Sequence, residues 1–267
     1  MRNARRIRLA FCFITFFMAQ LAVSAERIVT LNPMVSEWVA EILGNEKGLK
    51  KIIGASEYSH YPQFMKSVPT VGPYPNLEVE KILSLHPDLV IGSVEYNRLE
   101  QVEKLKKLKL NVVILPKENF KKMNEWIIEL ANVLGEPAKG IKLANDWDER
   151  LKKLKSIKSK KKVFLQIQFQ PLITVGSDSF LNDVFSRIGY ENVFQSLKQS
   201  YPKVSKEAVF EKNPDEVFVF EMIQNQEDLG RMKEIWKKSR VTILNGDDFA
   251  RCSLRLISAA ERMMKGE

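Results

Sequence analysis

Two tyrosines and two glutamates recur in this 267-residue chain at one fixed spacing. Tyr74-Pro75, Glu80, Pro87-Asp88 and Val90 are matched 127 residues later, without a gap, by Tyr201-Pro202, Glu207, Pro214-Asp215 and Val217. The apolar pairs Ile82-Leu83 and Val209-Phe210 keep the same register. A phenol ring can stack on a flat ligand, and a carboxylate can meet a cation on a partner, so the chain offers the same two functions twice. Self-similarity at so long a period marks one supersecondary unit used twice, and two like lobes imply a cleft between them.

Catalytic chemistry is sparse by comparison. His60 and His86 are the only histidines, with no third ligand spaced for a zinc site. His86 precedes Pro87 in a helix-terminating turn, where its place is structural; His60 lies in the aromatic loop Tyr58-Ser59-His60-Tyr61-Pro62, where it can touch a ligand or stand in solvent. Gly92-Ser93 and Gly176-Ser177 lack the flanking glycines of a nucleophile elbow. Gly44-Asn45-Glu46-Lys47-Gly48 lacks the Lys-Ser/Thr ending of a phosphate loop. Asp247-Asp248 is an acidic pair with no sugar site around it. The chain is therefore read as a non-enzyme, and two histidines are too few for the usual zinc or manganese receptor.

The first 25 residues stand apart from this pattern. Arg2, Arg5, Arg6 and Arg8 form a basic start, Leu9 to Val23 is an almost unbroken apolar run, and Val23-Ser24-Ala25 is a small-residue cleavage site. That is a secretory signal peptide; the rival, an uncleaved anchor, would need about 20 spanning residues. Cys12 follows Phe11 inside the run, which does not suit a lipid anchor. Removing the four leader arginines from 42 basic residues leaves 38 against 33 acidic ones, a net +5. Much of the excess lies in runs such as Lys158 to Lys162, the usual mark of a solvated helix end, and no nucleic-acid motif accompanies it. Cys252 is the only cysteine after the leader, so core burial and not an internal disulfide must hold the exported chain.

The elements that must position the tyrosines alternate. Strands are expected at 27–31, 52–55, 89–91, 111–115, 162–167, 217–220 and 241–244. Helices are expected after Asn32-Pro33 with Ser36 as cap, then at 77–85, 99–108, 120–134, 180–188, 229–237 and 253–264. A long helix from Pro137 to about Ile157, with Ile141, Leu143, Ala144, Trp147, Leu151 and Leu154 as its apolar positions, is the only segment expected to cross between halves. The pattern predicts an α/β fold of two Rossmann-like lobes with parallel sheets, joined by one long backbone helix, with a ligand cleft between lobes. The expected boundaries are a signal peptide at 1–25, an N-terminal lobe at 26–135, the connecting helix at 136–159 and a C-terminal lobe at 160–267.

At this level the chain resembles the periplasmic binding proteins of the helical-backbone class, which deliver iron siderophores, haem or cobalamin to ABC importers. The likeness rests on the leader, Arg27-Ile28-Val29-Thr30-Leu31, the loop Tyr58 to Pro62, Leu85-His86-Pro87-Asp88-Leu89-Val90-Ile91 and the lone connecting helix. Phe164-Leu165-Gln166, Pro202-Lys203-Val204-Ser205-Lys206-Glu207 and Arg251-Cys252-Ser253-Leu254-Arg255 bring it nearest to the cobalamin-binding members. The resemblance implies a monomer that carries cobalamin, or an iron chelate such as haem or a ferric siderophore, as cargo and uses no cofactor. It implies docking on an inner-membrane permease dimer through Glu80 and Glu207, although either glutamate could instead simply favour the first turn of a helix. It places Tyr58, Tyr74 and Tyr201 in the cleft, with Asp247, Phe249 and Arg251 from the loop Asp247-Asp248-Phe249-Ala250-Arg251; a half-buried loop position is the alternative for each tyrosine and an ordinary ion pair for Arg251. Two departures matter: Ser93 stands where a further cleft tryptophan is expected, and Ile188 and Met264 lie near the cysteines of an expected disulfide. Siderophore carriers add cleft arginines, for which this chain offers Arg251 and Arg98.

Overall fold

Strands that are apolar on both faces must be covered on both faces, which is how parallel sheets flanked by helices are built. The computed structural model describes residues 25–117, 119–154, 161–221 and 226–266 and contains two such sheets. Of the expected leader only Ala25 falls among the described residues. The first sheet has the order β2-β1-β3-β4 and is wholly parallel, from β1 (Ile28–Thr30), β2 (Ile52–Ala55), β3 (Leu89–Ser93) and β4 (Val112–Leu115). Its helices are α1 (Pro33–Leu43), α2 (Asn45–Lys51), α3 (Val79–Ser84), α4 (Leu99–Lys107) and α5 (Met123–Val133). Helix α6 (Pro137–Lys153) precedes the second sheet. That sheet is built on β5 (Lys161–Gln168), which pairs in parallel with β8 (Glu216–Glu221), and β8 in turn with β9 (Arg240–Asn245). The short β6 (Ile173–Thr174, antiparallel) and β7 (Tyr190–Asn192, parallel) also pair with β5. Its helices are α7 (Phe180–Arg187), α8 (Lys206–Lys212), α9 (Gln226–Ile235), α10 (Gly246–Phe249) and α11 (Leu254–Lys265).

The duplicated motif is a duplicated piece of structure. Helices α3 and α8 begin at 79 and 206, strands β3 and β8 at 89 and 216, and helices α4 and α9 at 99 and 226. All three keep the offset of the sequence repeat. The Pro-Asp pair has the same duty in each copy: Asp88 accepts hydrogen bonds from the Glu26 and Arg27 amides at 2.8 and 3.0 Å, and Asp215 accepts one from the Lys162 amide at 2.8 Å. Each aspartate thus ties the start of its own strand to the start of the neighbouring one. Register drifts only after α4 and α9, since Val90 faces Val112 whereas Val217 faces Val241.

Some local expectations need correction. Asn32, not Ser36, caps α1, accepting from the Val35 amide at 3.0 Å. Ser36 lies inside the helix, donating to the Asn32 carbonyl at 2.9 Å, because Pro33 at the first helical position starts the helix early. Ile141 is 51% exposed, since the buried face of α6 runs through Gly140, Ala144, Trp147 and Leu151. At Gly140 a β-carbon would collide with that of Ala131, so its absence lets α6 lie close on α5. The end of the expected long helix, beyond Leu154, lies outside the described residues.

The lobes share one apolar core, and a charged contact closes it. Trp38 on α1 packs on Trp147 of α6 with ring centroids 5.9 Å apart, and its indole N–H donates to the Cys252 carbonyl at 2.8 Å. Beside it Glu37, 5% exposed, receives both Nε and Nη2 of Arg255 on α11 at 3.0 and 2.8 Å, with Arg251 Nη1 at 4.0 Å. Burial pulls the Arg255 guanidinium pKa down, but the hydrogen bond and charge of Glu37 more than offset it and the net shift is upward. Arg150 of α6 fixes the other side of α11, donating to Glu261 at 3.0 and 2.8 Å.

Glu37→Ala would strip the nearest counter-ion from two largely buried guanidinium groups, leaving Arg255 only Asp248 at 3.9 Å. It is expected to cost about 3 kcal/mol or more in urea unfolding, against less than about 0.5 kcal/mol for exposed Glu103→Ala. Hydrogen bonding from Arg150 holds the Glu261 carboxyl below its usual pKa, so that contribution is full above the unfolded carboxylate value of about 4.3 and fades as pH falls through the lower folded value. Glu261→Gln should therefore remove part of the acid-induced loss of stability seen in the parent protein, measured as Tm against pH.

Candidate functional site

Each cleft ring is held by a loop that leaves the carboxyl end of a strand, the usual place for ligands in open α/β sheets. The loop carrying Tyr74 is laced to the end of β2 by Val71 N to Ala55 O at 2.8 Å and Glu57 N to Gly72 O at 3.0 Å. The loop carrying Tyr201 is laced to β6 and its sequel by Thr174 N to Pro202 O and Gly176 N to Ser200 O, both 3.0 Å. Gly176 is required there, because a β-carbon would meet the carbonyl oxygens of Gln199 and Leu197. Tyr58 has φ +65° and is followed by Ser59, whose buried hydroxyl bonds with that of Ser36 at 2.9 Å. Its carbonyl accepts from Arg251 Nη2 at 2.8 Å, a contact from the second lobe.

Three adjoining cavities open between the lobes, and Tyr96 lines all of them. The first, about 240 Å³, brings Tyr58, Tyr74, Asp247 and Arg251 together with Tyr96. The second, about 180 Å³, holds Tyr201 and Phe249. The third, about 360 Å³, is polar and reaches Tyr201 from its other side. Tyr74 and Tyr96 meet edge to face, 6.0 Å apart and 87° inclined. The two repeat-related tyrosines therefore line neighbouring cavities that share Tyr96.

Tyr96 is the residue that sequence reasoning missed. The resemblance directed attention to Ser93, which is wholly buried and serves as acceptor for Asn32 Nδ2 at 3.2 Å. The ring comes three residues later, in the turn after β3. Its neighbour Asn97 fixes that turn: Oδ1 accepts from the Ser93 amide at 2.9 Å and Asn32 at 3.0 Å, and Nδ2 donates to the Leu31 carbonyl at 3.0 Å. An aromatic side chain just past the carboxyl end of a strand, ahead of a turn asparagine, was the available signal.

Phe249 is 4% exposed and packs on Phe220 at 5.5 Å, so it floors its cavity more than it lines a rim. Asp247 is exposed at the edge. Arg251 borders the cavity; burial pulls its pKa down, opposed by Glu37, and its Nη2 donates to the Tyr58 carbonyl while Nη1 stands 4.0 Å from Glu37. Arg98 precedes α4 and lines none of the three cavities. Glu80 and Glu207 are each the second residue of their helices, α3 and α8, and both are exposed. A hydrogen bond from its own backbone N–H is the chief cause that holds each carboxyl below the usual range, aided by Lys104 at 3.1 Å for Glu80 and by the Ser205 hydroxyl for Glu207.

Two α/β lobes closing on an aromatic cleft define a receptor that captures a ligand between domains. The chain belongs to the periplasmic binding protein family, which matches residues 28–239. It is 30% identical over 271 aligned positions to the vitamin B12-binding protein of Vibrio cholerae, covering 97% of this chain and 95% of that one. It is likewise 30% identical to that of Salmonella typhi, covering 90% and 89%. The crystal structure of the periplasmic vitamin B12-binding protein of Vibrio cholerae superposes with a TM-score of 0.76 at 28% identity, over 91% of this chain and 96% of that one. A periplasmic haem-binding protein from Pseudomonas aeruginosa shares the fold, with a TM-score of 0.78 at 21% identity over 91% and 92%.

Asn97→Ala removes three buried hydrogen bonds at the root of the Tyr96 turn. A loss of about 2–3 kcal/mol is expected in denaturant unfolding, together with faster amide exchange at residues 94 to 98. A change under about 0.5 kcal/mol would mean that the turn holds itself.

Proposed function

We propose that this protein is the periplasmic substrate-binding component of an ABC importer, capturing cobalamin between its lobes and delivering it to an inner-membrane permease dimer. The observation that carries the reading is the pair of repeat-related rings, Tyr74 and Tyr201, facing inter-lobe cavities joined at Tyr96. Flat rings on both sides of a gap suit a flat macrocycle, with a few polar groups fixing its orientation. The names of relatives 30% identical to this chain point to the same cargo. In this reading Tyr58, Tyr74, Tyr201 and Phe249 supply the apolar walls, and Asp247 and Arg251 the polar edge. The corrinoid is cargo and no cofactor takes part.

Residues 1–25 act as the cleaved export signal. Lobes at 26–135 and 160–267, linked through 136–159, work as a monomer. Glu80 and Glu207 present one anion per lobe, at matching places in the two copies of the repeat, to the two halves of the permease. Haem is the second reading. Tyr58 is 53% exposed at the cavity edge, and a phenol oxygen there is a suitable ligand for ferric iron.

Paired substitutions separate capture from delivery. Tyr74→Ala with Tyr201→Ala should weaken cyanocobalamin binding by about tenfold or more in calorimetry, at about 0.5–1.5 kcal/mol for each lost stacking face, while importer binding persists. Glu80→Ala with Glu207→Ala should leave the ligand Kd within about twofold and abolish importer binding. Unchanged cobalamin affinity in the tyrosine pair would remove both rings from the site. Because both glutamates sit below their usual pKa, importer binding is expected to weaken with salt but to persist from pH 7 to about pH 5. Its loss over that range would point to a histidine instead.

A further inference from the structure

The third cavity differs in kind from the two tyrosine-walled ones beside it. Glu95, Lys117 and Lys121 reach it from the first lobe, and Asp178 and Asp183 from the second. Its charges are interleaved. Lys117 Nζ stands 3.1 Å from Glu95, and Lys121 Nζ reaches across the gap to 3.6 Å from Asp183. Asp178 accepts from the Ser177 hydroxyl at 3.0 Å. Tyr96 and Tyr201 separate this polar bay from the apolar cavity that holds Phe249.

An ammonium group in such a pair keeps further N–H donors, and a carboxylate keeps further lone pairs. Each pair therefore offers a donor and an acceptor side by side without a net charge. A carboxylate arm entering the bay would face three described carboxylates against two lysines, each lysine already engaged, and an ammonium arm would compete with those same lysines. A primary carboxamide carries two N–H donors and one carbonyl acceptor, so it can meet both partners at once.

We infer that the polar bay is a second subsite, binding uncharged carboxamide arms of the macrocycle whose ring lies against Tyr74, Tyr96 and Tyr201; this rests on the corrinoid reading above. Its specificity is against charge at the arm ends. An arm that ends in a carboxylate forfeits the acceptor-side contacts and meets like charge in a partly desolvated gap.

The test compares two corrinoids that share a ring and lack the nucleotide tail: dicyanocobinamide, with amide arms, and dicyanocobyrinic acid, whose arms end in carboxylates. Calorimetric titration of the full-length mature protein should show cobinamide binding about tenfold or more tightly. Glu95→Lys with Asp178→Lys, both at exposed positions where the fold should persist, should shrink or invert that ratio by about 10- to 100-fold. Circular dichroism and an unchanged Tm confirm that the variant is folded. Equal affinity of the wild type for both corrinoids, or a ratio that the double substitution leaves within about twofold, overturns the subsite while the corrinoid reading stands. Failure of the wild type to bind either corrinoid overturns both.

Discussion

The contact between the lobes beside the cleft centres on one buried carboxylate. Glu37 sits on α1 of the first lobe, yet the groups it holds, Arg255 at 2.8 Å and Arg251 at 4.0 Å, come from the second. Taking a carboxylate and guanidinium groups out of water costs several kcal/mol per ion, so they persist together only because their hydrogen bonds are made. Arg251 then reaches on to the carbonyl of Tyr58, so the same contact that closes the lobes sets one ring of the site. Asp248, bonded to Arg262 at 2.7 Å and 3.9 Å from Arg255, anchors the loop that brings Asp247 and Phe249 to the cleft. Arg150 and Glu261 join the connecting helix α6 to α11, while Glu37–Arg255 and the Trp38 indole on the Cys252 carbonyl fasten the lobes directly. The gap between the rings is therefore set by packing and by ion pairs across the lobes.

Most of the architecture was legible because its signals are local and repeated. Alternating apolar runs gave the parallel strands, and the Tyr-Pro, Glu and Pro-Asp spacing gave the duplicated unit, while the matching starts of three element pairs emerged only in the structure, where α9 begins at 226 and not 229 and α8 was not expected at all. The Pro-Asp pair was readable as a turn but not as a strand tie, since Asp88 reaches Glu26 and Arg27, some sixty residues away in sequence. The short elements α2, β6, β7 and α10 went unseen because tertiary contacts, not periodicity, define them.

The site was legible in part, and the reason lies in particular residues. Tyr74 and Tyr201 were singled out through the repeat, and they line different cavities that share Tyr96. Tyr96 has no counterpart in the repeat and sits three residues from where the resemblance looked; only the buried Asn97 and Asn32 network shows why its ring turns inward. Arg251 was legible as a cation near the cleft, but not as a link across lobes to the Tyr58 carbonyl and Glu37. The polar bay draws on residues from Glu95 to Asp183, which no sequence spacing connects.

The decisive measurement is a competition read by colour. The mature protein is equilibrated with equimolar cyanocobalamin and haemin, passed through gel filtration, and its visible spectrum recorded. A tyrosine-walled cleft of fixed width made for a corrinoid predicts that the protein peak carries the cyanocobalamin bands in near-stoichiometric amount. Elution with the Soret band of haem, or without any chromophore, would contradict it.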